Sequence, residues 1–219
     1  MRREGISRHA ALRGWNFPPP AACNSVKARV ETRVKYRELS DEELMYCYAC
    51  GDERAFEIIV SRYTQRLFRF ARRLLGDAET AEDVVQEAFL RVHLHAGRYK
   101  YGVARFSTWI YRIARNLTIQ EFRKQTRRKT RESEAEEEAI VEPEKELLDA
   151  EFNAMLQKAL EELPEDQRTV FVLRDMEHMT YDEIVKVTRT RVGTVKSRLN
   201  RARNALAEKL GPYVGRRRQ

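Results

Sequence analysis

The stretch Thr180 to Leu210, TYDEIVKVTRTRVGTVKSRLNRARNALAEKL, constrains the fold more than any other. Thr180 followed three residues later by Glu183 is the capping-box signature of a helix start, because each side chain satisfies an amide donor of the other. Ile184, Val185 and Val187 give that helix a short apolar face. Thr190 is expected to cap a second helix. There Val192, Val195, Leu199, Ala202, Leu206 and Leu210 recur at steps of three and four and form one stripe. The opposite side carries Arg191, Thr194, Lys196, Ser197, Arg198, Asn200, Arg201 and Arg203. Over 180–210 there are eight Lys/Arg but three Asp/Glu, too few acids for a face laced with salt bridges. Long cations mixed with Ser, Thr and Asn are the types that reach phosphates and base edges. The pair therefore reads as a helix-turn-helix entering a DNA major groove.

The rest of the chain is also helical in pattern. Ser40 with Glu43 is a second capping box, and the helix it opens stops near Gly51. Asp52 starts a longer one, with Phe56, Ile59, Tyr63, Leu67, Phe70 and Leu74 on one face and a stop at Gly76. Asp77 caps a third, whose Ala81, Val84, Val85, Ala88, Phe89 and Val92 are apolar and whose other side shows Glu82, Asp83, Gln86 and Glu87. Gly97 reads as its stop. An aromatic and basic loop, RYKYGVARF, leads to a helix opened by Ser107. Trp109, Ile110, Ile113, Leu117 and Phe122 point inward there, with Thr108, Arg112, Asn116 and Arg123 on another face. Pro164 fits the first position of a later helix, and Pro212 is expected to end the last one. The fold class is all-α.

Charge divides the chain. Its net charge is +8, yet residues 132–149 hold nine acids and one Lys, with Pro143 among them. The expected organisation is a disordered basic extension (1–35), a first helical domain (36–130), an acidic linker (131–146), a second helical domain (147–211) and a basic tail (212–219). No apolar run approaches the roughly 20 residues of a membrane span.

Catalysis finds little support. No glycine lies between Gly102 and Gly193, so no phosphate-cradling glycine loop fits there, and no Ser/His/Asp set appears. Cys47 and Cys50 form C-x-x-C, but a structural zinc site would need two more ligands, and His93 and His95 are some 45 residues away. No metal site and no cofactor are expected, and three cysteines favour a reduced, cytoplasmic setting.

The strings AEDVVQEAFLRVH, RFSTWIYRIARNLTIQEFRK, LPEDQRTVFVLRDMEHMTYDEI and VGTVKSRLNRAR, in this order, resemble bacterial extracytoplasmic-function sigma factors, group IV of the sigma-70 superfamily. The resemblance spans roughly residues 40–210. It implies a non-catalytic factor that binds core RNA polymerase and directs it to promoters, helping to open the −10 DNA. Asp83, Gln86, Glu87 and Phe89 match positions that bind the clamp helices of the largest polymerase subunit. Tyr99 and Asn116 match a pocket for a base flipped from the −10 strand, with Trp109 and Arg112 supporting it. Arg115, Arg123, Lys124, Arg127 and Arg128 would hold phosphates of single-stranded DNA. Lys196, Ser197, Asn200 and Arg201 match groove-facing positions at the −35 duplex, with Arg191, Thr194, Arg198 and Arg203 beside them, the arginines on phosphate or in solvent. An anti-sigma partner is implied too.

One departure concerns the turn, where the family usually carries glycine and then an apolar residue. Arg189 and Thr190 stand there, and a positive φ at Arg189 would be strained, so a different turn geometry is expected. The alternatives are a stand-alone operator-binding regulator, which would not need TWIYRIARN, and a thiol redox or zinc enzyme built on Cys47 and Cys50.

Overall fold

Side-chain caps fix where four of the eight described helices begin. In the computed structural model, which describes residues 36–99, 105–129 and 147–216, Ser40 and Thr180 each form a complete capping box with Glu43 and Glu183. Asp52 and Asp77 accept from the amides of Arg54 and Thr80, closing the N-termini of the next two helices. The expected basic extension and acidic linker lie outside the described residues.

The helices are α1 (Asp41–Ala49), α2 (Glu53–Leu75), α3 (Ala78–His95), α4 (Phe106–Lys129), α5 (Leu147–Glu161), α6 (Glu165–Phe171), α7 (Tyr181–Thr188) and α8 (Val192–Arg216). There is no strand among the described residues. Helix α6 runs on into a π-helical turn, Val172–Met176, closed by the Glu177 amide donating to the Val172 carbonyl.

Three expectations are corrected. Pro164 is the cap residue of α6 and not its first helical residue. Helix α8 starts at Val192, so Thr190 does not cap it, and the Thr190 hydroxyl pairs with that of Thr188 at 2.8 Å. Pro212 does not stop α8, which continues to Arg216. A proline's ring crowds the Cβ of the residue before it, and that residue is Gly211, which has none.

Glycine and its substitute end two helices differently. Gly76 closes α2 with φ 82, and Gly51 turns the chain after α1 with φ 95. Gly97 instead sits inside a 3-10 turn, Ala96–Arg98. At the helix-turn-helix the left-handed geometry survives without glycine: Arg189 takes φ 56 and ψ 38, and its amide donates to the Val185 carbonyl at 2.8 Å. The turn thus keeps a left-handed shape, contrary to expectation, because the fixed hydrogen bond and the packing of Ile184 and Val187 outweigh a local cost of about 1–2 kcal/mol.

Two units make up the fold. Helices α1 to α4 surround Leu44, Ile59, Tyr63, Leu67, Phe70, Val84, Ala88, Ile110 and Tyr111; helices α5 to α8 surround Leu160, Leu173, Ile184, Val195, Leu199 and Leu206. The units share one continuous apolar core, which reaches Val170, Leu173, Met179 and Val187 of the second unit. Helix α4 is covered on both sides, by α2 and α3 and by α7. Thr108, which the sequence placed on a polar face, is buried.

The seam between the units is polar as well as apolar. Arg168, 3% exposed, donates to the carbonyls of Leu74, Glu161 and Leu163. Glu177 accepts from the Tyr111 hydroxyl and pairs with Arg66 at 3.4 Å. Arg66 lies over the rings of Tyr63 and Tyr111, 5.2 and 5.7 Å from their centroids.

Candidate nucleic-acid interface

Helix α8 sorts its cations into two sets. Arg198 pairs with Asp166 at 2.7 Å, and Arg203 grips Asp175 through both Nε (2.9 Å) and Nη2 (2.5 Å). These two arginines are therefore held by α6 and the π turn and are not left to solvent. Arg191, Asn200 and Arg201 are exposed and have no partner among the described residues. Lys196 is exposed with its Nζ 5.5 Å from the Tyr181 ring, a contact that leaves its hydrogen-bond donors available. Ser197 is exposed too, and its hydroxyl donates to the Thr194 carbonyl; Thr194 is half-buried. Val195, Leu199, Ala202 and Leu206 fix this face outward by burying the opposite one. Val192 departs from the stripe and is 45% exposed at the start of the helix.

A second candidate surface lies on α4. Asn116, Arg123 and Lys124 are exposed, and Lys124 pairs with Glu121 on its own helix at 2.6 Å. Arg112 is half-buried. Arg115 is drawn inward, with Nη2 4.0 Å from Glu165 of α6, and burial lowers the pKa of its guanidinium. Tyr99 stands 5.4 Å from Trp109 and 6.0 Å from Phe106, and Phe106 meets Trp109 edge-on. This aromatic cluster joins the turn after α3 to the start of α4. Tyr99 and Trp109 are both half-buried, so an aromatic surface remains within reach of solvent. Of the phosphate-binding candidates, Arg127 and Arg128 lie on the last turn of α4, where only the backbone is described.

The third surface is the outer side of α3. Glu82, Asp83 and Gln86 are exposed, and Glu87 pairs with Arg91 at 2.8 Å. Phe89 does not join them: it packs edge-on against Phe56 at 6.3 Å, half-buried. Leu90 (50% exposed) and Leu94 (60%) do, one and two turns beyond Gln86 and Glu87. Sequence reading passed over both, although their i, i+4 spacing on the charged side of α3 was visible.

Cys47 is a buried free thiol, with its pKa pushed up to about 11 by burial, then by Asp52 and Glu43. Cys50 is engaged elsewhere and does not pair with it. Among the described residues no group of His, Cys, Asp and Glu has the arrangement of a metal site, and no helix is long and apolar enough to cross a membrane.

The sigma-70 region 2 family model matches residues 59–128, which carry the α3 and α4 surfaces, and the sigma-70 region 4 model matches 153–206, which carry α8. The RNA polymerase sigma-H factor of Pseudomonas aeruginosa is 34% identical over 185 residues, 80% of this chain and 95% of that protein. The ECF RNA polymerase sigma factor SigW of Bacillus subtilis is 34% identical over 172 residues, 73% of this chain and 91% of the relative. The chain belongs to the extracytoplasmic-function sigma factors.

Two solved structures share this sigma factor's architecture. The sigma factor RpoE, in complex with the anti-sigma factor NepR from Bartonella quintana, superposes with a TM-score of 0.62 at 28% identity, covering 71% of this chain and 96% of that one. CnrH, in complex with the cytosolic domain of CnrY, gives 0.61 at 25% identity, covering 78% and 97%. The three surfaces of this sigma factor thus fall inside the two matched regions.

Proposed function

We propose that this chain binds core RNA polymerase and directs it to promoters, with residues 36–130 serving the −10 element and 147–211 the −35 element. The observation that carries this reading is the acid-free set at the start and along the outer face of α8, Arg191 just before the helix and Lys196, Asn200 and Arg201 on it, in a chain matched to both sigma regions. Arginine and asparagine offer donors and acceptors suited to guanine and adenine edges in the major groove. Arg191 and Lys196 add charge toward phosphate.

At the −10 element the chemistry is strand opening without nucleotide hydrolysis. Extruding a base costs a few kcal/mol. Stacking on an aromatic surface returns roughly 1–3 kcal/mol per base, which the half-buried rings of Tyr99 and Trp109, backed by the buried Phe106, support. Asn116 would hydrogen-bond a flipped base, with Arg112 beside it. Arg115, Arg123 and Lys124 would hold phosphates. Asp83, Gln86 and Glu87 offer an acidic and amide face to a basic clamp on the polymerase, with Phe89 bracing that face from within. The role requires no catalysis of its own and suits a cytoplasmic protein. A similar sigma factor solved with an anti-sigma factor supports an anti-sigma partner here as well.

The test is transcription by purified core polymerase on a genomic DNA pool, with and without this chain. New start sites sharing paired upstream motifs at a fixed spacing are expected. DNA binding with no core complex and no new starts would instead mark a stand-alone regulator.

A further inference from the structure

The first amide of α4 finds its acceptor 64 residues earlier in the chain. The Phe106 N–H donates to Oε1 of Glu42, on the first turn of α1, at 2.8 Å. The first four amides of a helix have no partner within it, and a side-chain oxygen is the usual remedy. Arg105 holds the cap position, its carbonyl accepting from the Trp109 amide, but its side chain offers donors only. The carboxylate of Glu42 supplies what Arg105 lacks, and its negative charge suits the positive end of the helix dipole. Glu42 is half-buried, and α1 packs directly against α4.

Phe106 is also the ring around which the candidate stacking surface is assembled. It is buried, 5.2 Å from Tyr63 of α2 and 6.0 Å from both Tyr99 and Trp109. Tyr63 is held in turn by Asp41, the residue before Glu42, whose Oδ2 accepts from its hydroxyl at 2.5 Å. Oδ1 of Asp41 accepts from Arg62 at 2.7 Å, and Arg62 also donates to the Leu39 carbonyl at 2.9 Å. The capping box of Ser40 and Glu43 fixes the start of α1 itself. Two adjacent acids of α1 thus grip one residue of α4, Glu42 by its amide and Asp41 through the tyrosine ring packed on it.

Resting on the −10 reading, we propose that Glu42 is a positioning residue for base capture. It touches no DNA. It fixes the height and rotation of α4 at Phe106, and with them the faces that Tyr99 and Trp109 present to an unstacked base. Trp109 lies about 4.5 Å of helix rise beyond Phe106, and Asn116 about 15 Å beyond it. A displaced first turn therefore disturbs Trp109 first and Asn116 less. The acceptor is what matters, because the bond runs to a single amide: glutamine keeps an oxygen at the same reach and alanine keeps none. The bond involves no residue of α3 or α8, so the polymerase-facing and −35 surfaces are left as they are when it is lost.

The test compares the full wild-type chain with Glu42→Ala and Glu42→Gln, each assembled with core polymerase. The probe is a promoter fragment recovered from the genomic pool, with 2-aminopurine placed in its −10 strand. Emission of 2-aminopurine rises when the base leaves its stack, so it reports capture directly. Glu42→Ala should lower the equilibrium constant for opening about ten-fold, the scale of one hydrogen bond to a charged group, with core affinity unchanged. Glu42→Gln should restore opening to the wild-type level. In the free chain, with Trp15→Phe leaving Trp109 as the one tryptophan, acrylamide quenching should rise for Glu42→Ala and not for Glu42→Gln. An alanine variant that opens promoters as the wild type does would overturn the proposal. So would a glutamine variant that fails as alanine does, or an alanine variant that loses core binding together with opening, since α1 would then support the fold at large. If the wild type itself gives no 2-aminopurine signal, the −10 reading falls, and Trp109 quenching alone decides whether Glu42 sets the rings.

Discussion

Arg168 of α6 donates from Nη1 to the carbonyl oxygen of Leu74 at 2.5 Å, so a buried charge from the second unit closes the open C-terminal end of a helix in the first. The last carbonyls of any helix lack partners within it, and a cation there also meets the negative end of the helix dipole. Burial lowers the Arg168 pKa, and its guanidinium lies 5.7 Å from the Phe122 ring. The same side chain satisfies Glu161 and Leu163, which close α5.

Replacing Arg168 by Met would leave these carbonyls buried without a donor. Each costs about 1–3 kcal/mol, so Arg168→Met should lose about 3 kcal/mol or more of stability in urea denaturation. A loss below about 1 kcal/mol would mean that water or a rearranged neighbour replaces the guanidinium.

Arg189 sits in the left-handed region because the turn demands it. Glycine would relieve about 1–2 kcal/mol of strain and return roughly 0.5–1 kcal/mol as unfolded-chain entropy. Arg189→Gly should therefore be neutral or stabilising by up to about 1 kcal/mol. Arg189→Val should destabilise, because a β-branched side chain tolerates positive φ least. Melting temperatures of the two variants in the reverse order would show that the Arg189 side chain makes a contact that matters.

Arg201 is exposed on α8 and free of acids among the described residues. If it reads a guanine, Arg201→Ala should cost about 1–3 kcal/mol of discrimination at one base pair. Binding titrations on single-base variants of the −35 duplex check this. An equal loss on every duplex would place the side chain on phosphate.

Asp83→Arg should weaken the complex with core polymerase while leaving the melting temperature unchanged, since Asp83 is exposed and caps nothing. Surface substitutions of this kind usually alter stability by less than about 0.5 kcal/mol. Undiminished core binding in a pull-down would count against the α3 surface.

Cys47 should resist alkylation at neutral pH in the folded chain, because only the thiolate reacts and burial raises its pKa to about 11. A thiol whose pKa is raised by folding favours the folded state fully below its unfolded value of about 8.5–9. That contribution is lost as pH rises from there through about 11. A Cys47→Ala variant should show a shallower decline in stability across that window, measured by denaturation at successive pH values.

Much of this could be read in the sequence because it is local. Capping boxes at Ser40 and Thr180, the caps Asp52 and Asp77 and the stop at Gly76 involve residues a few positions apart, and each stands as read. What escaped the sequence depends on partners far along the chain. Nothing near Arg168 announces that its guanidinium ends a helix 94 residues earlier. Arg198 and Arg203 look like their neighbours on α8 until Asp166 and Asp175 are brought beside them. Thr108 looks polar-facing, yet it is buried in the packed fold. Pro212 has the look of a helix stop, but the glycine before it lacks the Cβ that a proline ring would crowd.

The seventeen residues that tie α4 to α5 change the terms on which the two units meet. Two units joined in one chain meet at an effective concentration set by the length of the connection, about the millimolar scale when it is short. Contacts far too weak to join two separate proteins are then enough to keep this one folded upon itself. A competitor gains most when it grips both units together, since it then benefits from the same tether.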